Sequence, residues 1–162
     1  MQLRPTTSED LEVLRTWVPT EADMILWSGP TFTWPLDRAQ LDIYLSDERR
    51  RYWSGFAAIG GRMSGHGSVL VDEAADRMRL GCVIVDPALR GHGLGRQFVT
   101  AAVQESFRIS DLPVLTLGVY AHNAAARRLY GSLGFRETGL VRDTRVGEHI
   151  WHVLEMERPR AL

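Results

Sequence analysis

Lysine is absent from this sequence: all 19 of its basic residues are arginine. A phosphate loop ending in Gly-Lys-Ser/Thr is thereby excluded, because that lysine is what reaches the outer phosphates. Cysteine is almost absent. Cys82 stands alone, so an internal disulfide is impossible and a cysteine-based metal cluster is not expected. Flanked by Val83, Ile84 and Val85, it reads as a small buried residue in a strand, with no basic neighbour to activate its thiol. An excess of either charge is also missing, and a net charge of −1 gives nucleic acid no reason to bind. No run approaches the ~20 apolar residues of a membrane span, and Met1-Gln2-Leu3-Arg4-Pro5 does not open an apolar leader. A soluble cytoplasmic protein is the resulting expectation. No linker or repeat divides the chain, so residues 1–162 are expected to form one domain.

What is present is globular in kind: 44% hydrophobic and 24% charged residues. A chain of this size buries roughly 70% of the surface its unfolded state exposes. Residues 2–4 read as a strand. Ser8-Glu9-Asp10 caps a helix with Leu11, Leu14 and Val18 as its apolar stripe, ended by Pro19. Residues 21–34 are mixed, with the turn signal Gly29-Pro30. Asp37 caps a second helix bearing Leu41, Tyr44 and Leu45. Residues 53–59, 62–71 and 78–85 read as strands, with a turn at Gly60-Gly61. Leu94, Phe98, Ala101, Ala102 and Phe107 then recur at helical spacing. A strand over 114–120 follows, then a helix opened by Asn123 and stopped by Gly134, and two last strands starting at Phe135 and Ile150. The order is β-α-α-β-β-β-α-β-α-β-β, an α/β (α+β) class. Its sheet is mixed, because hairpins demand antiparallel pairs and a strand–helix–strand crossover demands a parallel one.

The most informative stretch runs Val85-Asp86-Pro87-Ala88-Leu89-Arg90-Gly91-His92-Gly93-Leu94-Gly95-Arg96. A strand ends, and three glycines lead straight into a helix. Glycine permits positive φ and close approach of a ligand to main-chain amides. Free amides at a helix N-terminus, helped by the dipole, attract anions. Arg90 and Arg96 add charge suited to phosphate oxygens. A diphosphate cradle is the physical inference. The dinucleotide spacing Gly-x-Gly-x-x-Gly is not matched by this Gly-x-Gly-x-Gly, and a glycine turn without a ligand remains the plain alternative.

Arg90-Gly91-His92-Gly93-Leu94-Gly95 resembles the Arg/Gln-x-x-Gly-x-Gly/Ala signature of the GCN5-related N-acetyltransferases. Downstream, Asn123-Ala124-Ala125-Ala126-Arg127-Arg128-Leu129-Tyr130-Gly131-Ser132-Leu133-Gly134-Phe135 is similar to the family's Asn-x-x-Ala-x-x-x-Tyr-x-x-x-Gly-Phe segment. Bacterial ribosomal-protein-alanine and aminoglycoside-type enzymes lie nearest in pattern. The resemblance implies one GNAT-like domain whose sheet splays between its fourth and fifth strands. It implies acetyl-CoA as co-substrate, without a metal. The pyrophosphate would lie on Arg90, Gly91, His92, Gly93, Leu94, Gly95 and Arg96. Main-chain groups of Val83 and Val85, and the Asn123 side chain, would meet the acetyl carbonyl and pantetheine. Tyr130 would protonate the leaving thiolate. Without a lysine, the protein has no lysine side chain of its own to acetylate.

The resemblance departs at one point. Some relatives place a basic glutamate on the strand before the Asn, and here that position is Gly118. Glu73, Asp86, Glu21, Asp23 and His122 are the other candidates. His149 and His152 would face opposite sides of a strand and do not suit a metal. The implied partner is an amine-bearing acceptor, a small molecule or a protein N-terminus, with a homodimer allowed and neither nucleic acid nor membrane involved. Trp17, Trp27, Trp34 and Trp53, with Phe32, Tyr44 and Tyr52, load the first third with aromatics that attract alkylammonium groups or simply pack the helices. A non-catalytic acyl-CoA sensor and a nucleotide-binding oxidoreductase are the competing functions.

Overall fold

The structure, a computed structural model, describes residues 1–57 and 61–160. The chain begins with strand β1 (Gln2–Pro5), and Thr7 rather than Ser8 caps helix α1 (Ser8–Arg15). Thr7 accepts from the Asp10 amide while Asp10 accepts from the Thr7 amide, a reciprocal capping box. Helix α2 (Glu21–Ser28) follows, capped by Thr20, where the sequence reads only as mixed. Its run Ala22, Met24, Ile25, Leu26 and Trp27 is apolar nearly all round, so periodicity is faint. A 3-10 turn (Gly29–Thr31) leads to α3 (Arg38–Leu45), capped by Asp37.

A meander comes next: β2 (Arg50–Phe56), β3 (Met63–Asp72) and β4 (Arg77–Val85). The expected turn at Gly60-Gly61 and the end of the expected strand 53–59 fall partly outside the described residues. The long helix α4 (Leu94–Ile109), β5 (Val114–Tyr120), α5 (Ala124–Ser132), β6 (Arg136–Val146) and β7 (His149–Pro159) complete the chain. The observed order, β-α-α-α-β-β-β-α-β-α-β-β, differs from the expected one by α2.

All strands join one mixed sheet, ordered β1-β2-β3-β4-β5-β7-β6, parallel only at β4–β5. Leu11, Leu14, Met24, Leu41 and Ile84 pack a core against one face. Phe98, Val99, Ala102, Leu117 and Tyr130 pack one against the other. Phe98 sits so close to β2 and β3 that a Cβ at Gly55, Gly65 or Gly67 would come within 2.9 Å of its ring.

The expected splay is present, and its cause is local. Strands β4 and β5 pair only at Met78–Leu115 and Arg79–Thr116. Beyond them β4 bulges: Gly81 faces Ser68 and Ile84 faces His66, leaving an extra residue on β4. Cys82 takes φ 51, a conformation uncommon outside glycine, and its side chain packs on the α1–α3 side while Val83 packs on the α4 side. The Trp27 indole N–H donates to the Cys82 carbonyl at 2.7 Å and bolts α2 to the bulge.

Candidate active site

Two hollows adjoin along β4 and α5. The first, about 470 Å³, is lined by Val85, Arg90, Gly91, Gly93, Leu94, Gly95 and Arg96 from the glycine loop, with Ala125, Arg128 and Leu129 from α5. Gly91 and Gly93 take φ of 84° and 75°, and a Cβ on either would meet nothing within 4 Å. The loop thus turns left-handed at both glycines and leaves open space before the helix. The first amide used along α4 is that of Gln97, which donates to the Gly93 carbonyl at 3.1 Å. The amides of residues 94–96 therefore head the helix without helical partners. Arg90, Arg96 and Arg128 surround them, and none is ion-paired among the described residues. Arg96 donates to the Ser132 hydroxyl at 2.8 Å, which holds it across from α4 to α5. Free amides, a helix dipole and three unpaired guanidiniums make an anion cradle. His92 lines neither hollow; it is exposed, with Nδ1 3.0 Å from the Arg90 carbonyl.

The second hollow, about 410 Å³, is the slot opened by the splay. Val83, Asn123 and Tyr130 all line it. Beyond Arg79 the slot-side edge of β4 has no strand partner, so main-chain groups there are free to meet a ligand. Asn123 is the N-cap of α5, its Oδ1 accepting from the Ala126 amide at 3.1 Å. That leaves its Nδ2 hydrogens to donate elsewhere. Seven residues on, Tyr130 lies on the same face of α5, buried and set edge-on to Phe135. Burial alone pushes its pKa up to about 12, so its hydroxyl stays protonated and is a donor, never a base, at ordinary pH. Gly134, at φ 88, ends this segment as expected.

The structure does not bring the candidate bases to the slot. Asp86 is buried, accepts from the Ala88 amide and pairs with Arg62 at 3.1 Å. Glu21 and Asp23 sit at the outer start of α2, and Glu73 on the β3–β4 turn. His122 stacks on Tyr120 and meets Trp151 edge-on, outside the lining. Of the aromatics, Trp27 lines the slot, backed by Phe32 stacked at 5.2 Å. Trp17 and Trp53 are core, and Trp34 is half exposed. His152 pairs with Asp143 at 2.8 Å, and no metal-ligating cluster exists among the described residues.

The profile of the acetyltransferase (GNAT) family matches residues 21–135, from α2 through the end of α5. The chain belongs to the GNAT acetyltransferase family. Members of that family are acetyltransferases. An uncharacterized N-acetyltransferase of Bacillus subtilis, YycN, is 42% identical over 52 residues, 32% of this chain; the match spans only a third of that relative's length. The fold is that of a Vibrio cholerae spermidine N-acetyltransferase solved with CoA and spermine (TM-score 0.83, 21% identity, 98% of this chain and 94% of that one). A ribosomal-protein-alanine N-acetyltransferase from Brucella melitensis aligns at TM-score 0.78 and 21% identity, over 99% and 100% of the two chains.

Several lining residues of this GNAT protein escape sequence reasoning. Arg128 completes the cradle, and its signal was its place one turn before Ser132, on the helix face turned to α4. Arg50, Arg79 and Arg142 line the slot from three separate strands, where no spacing links them.

Proposed function

We propose that the chain, as one catalytic domain, transfers the acetyl group of acetyl-CoA to a primary amine by direct attack. The observation that carries this is the adjacency of an unpaired anion cradle and a slot holding a protonated, buried tyrosine. Acetyl-CoA supplies the thioester, whose C–S bond breaks as the amine nitrogen forms the new C–N bond. Gly91, Gly93, Leu94, Gly95 and Arg96, with Arg90 and Arg128, hold the pyrophosphate. The free edge of β4 from Val83 to Val85 aligns the pantetheine and polarises the acetyl carbonyl. Asn123 steadies the arm through Nδ2. Tyr130 donates its proton to the departing sulfur.

Asp143, the one carboxylate among the slot's lining residues, is held by His152, so the amine enters neutral, the proton its nitrogen sheds on becoming an amide leaves to water, and water returns a proton to Tyr130. The acceptors of the relatives, a polyamine and a ribosomal-protein alanine, share an amine. Gly118 in place of a strand glutamate is the one feature favouring a non-catalytic acyl-CoA-binding module.

Tyr130→Phe tests the reading. It removes only a hydroxyl and keeps the ring on Phe135. General acid catalysis is worth ~10²–10⁴-fold, so kcat falls within that range while the KM for acetyl-CoA moves little. A folded variant with wild-type kcat would remove Tyr130 from the mechanism.

A further inference from the structure

The acceptor side of the slot is cationic. Strand alternation puts Arg50 on β2, Arg79 on β4 and Arg142 on β6 on the α1–α3 face of the sheet, and all three line the slot. Their compensation is incomplete. Glu155 on β7 is the shared partner of two of them, pairing with Arg79 and, at 2.9 Å, with Arg142. Arg50 approaches Asp47 at 3.4 Å, but Asp47 is already held by both Nε (3.1 Å) and NH2 (3.2 Å) of Arg49. Four guanidiniums thus share two carboxylates. Asp143 also borders the slot, but it follows Arg142 on β6, so its side chain leaves by the opposite face, where it pairs with His152.

Gly118 belongs to this cluster. It lies in register with Glu155, and a Cβ there would fall 2.8 Å from Arg79 NH2 and 3.4 Å from Arg142 NH2. The glycine makes room for two arginines. One more group in the slot is unspent: the Tyr120 hydroxyl is buried and makes no hydrogen bond of normal geometry among the described residues, although Thr144 lies close enough to influence it. It lies beside Gly29 at the end of α2, within the same lining. Buried polar groups are kept in native structures by partners.

We propose that the acceptor is a small amine that also carries an anionic group, carboxylate or phosphoryl, bound by Arg79, Arg142 and Arg50. This rests on the acetyl-transfer reading. Planar guanidiniums match both oxyanions in pairs of parallel hydrogen bonds. Tyr120 offers a further donor. A hollow of about 410 Å³ that must also admit the acetyl end of the donor suits a small molecule. The same excess positive charge repels a polyamine.

The test titrates the CoA-saturated protein by calorimetry with the free amino acids, β-alanine and phosphoethanolamine. It compares them with the matching amino-acid amides, ethanolamine and spermidine, and measures thiol release from acetyl-CoA with the same set. At least one anionic member binds about tenfold or more tightly than its neutral analogue. Arg142→Gln, at an exposed guanidinium, and Arg79→Gln each reduce that ratio to about twofold or less, with an unchanged circular dichroism spectrum. Amides or spermidine binding as well as the acids, no anionic binder, or a ratio that survives both substitutions would overturn the anion site. Thiol release with spermidine alone would overturn it and leave acetyl transfer standing. Arginine-dependent binding of an acid with no thiol released from any amine would do the reverse.

Discussion

Gly93→Asp separates backbone strain from charge in the cradle. Gly93 is the N-cap of α4 at φ 75, in open space. A side chain there clashes with nothing, so its cost to folding is the left-handed backbone alone, ~1–2 kcal/mol, with Asp and Asn the mildest non-glycine residues. The new carboxylate would stand among Arg90, Arg96 and Arg128, where the pyrophosphate is proposed to lie. Two unit charges ~5 Å apart at an effective dielectric constant of ~20 repel by about 3 kcal/mol. That is roughly a hundredfold in Kd for each phosphate charge opposed. Gly93→Asn bears the same strain without the charge. Calorimetric titration with CoA is therefore expected to give a Kd at least about a hundredfold weaker for Asp than for Asn. Unfolding free energies from urea titration of the two variants should stay within about 1 kcal/mol of each other. Equal CoA affinities for Asp and Asn would refute the placement of the pyrophosphate on this helix end.

Removing Arg90, Arg96 or Arg128 should weaken CoA binding while sparing a pantetheine thioester that lacks the nucleotide; equal losses for both ligands would make these arginines structural. The pH dependence of kcat/KM should follow the acceptor amine's own pKa, because the lining carboxylate, Asp143, is held by His152; a profile fixed near one pKa for amines of different basicity would reveal an enzyme base. His66 is buried and neutral between the Thr6 and Tyr44 hydroxyls, its pKa pushed down to about 3 by burial. Its unfolded form takes a proton below ~6.5, so stability is full above that pH and falls as pH drops toward 3, by about 1.4 kcal/mol per unit. Urea midpoints at stepped pH check this, and a wild type no more acid-sensitive than His66→Asn would contradict it.

Where one local signal decides an element, the sequence sufficed. Helix α4 begins at Leu94, just past the glycines, and α5 stops before Gly134 because the left-handed C′ position asks for glycine. Helix α2 was hidden because its exposed positions include the apolar Ala22 and Leu26, so no polar face sets a period, though Thr20 and Asp23 marked its start. Asn123 was readable both as a cap and as a site residue, and its amide has the groups for both. The splay could be expected only from resemblance. Its physical cause is a cysteine at positive φ, a conformation that no neighbouring residue type announces. Arg50, Arg79, Arg142 and Glu155 were illegible as a group because sheet register, not chain spacing, assembles them. Gly118 reads from sequence as a missing base; in the structure it is the space two arginines occupy.

The most direct test of the central claim is free-thiol release from acetyl-CoA across the amine set, with mass spectrometry of each amine. An acetyltransferase releases CoA thiol in equal amount to an N-acetylated product, for at least one amine, at a rate that Tyr130→Phe lowers about a hundredfold or more. Tight acetyl-CoA binding with thiol release no faster than in buffer, for every amine and for wild type and variant alike, would contradict the account.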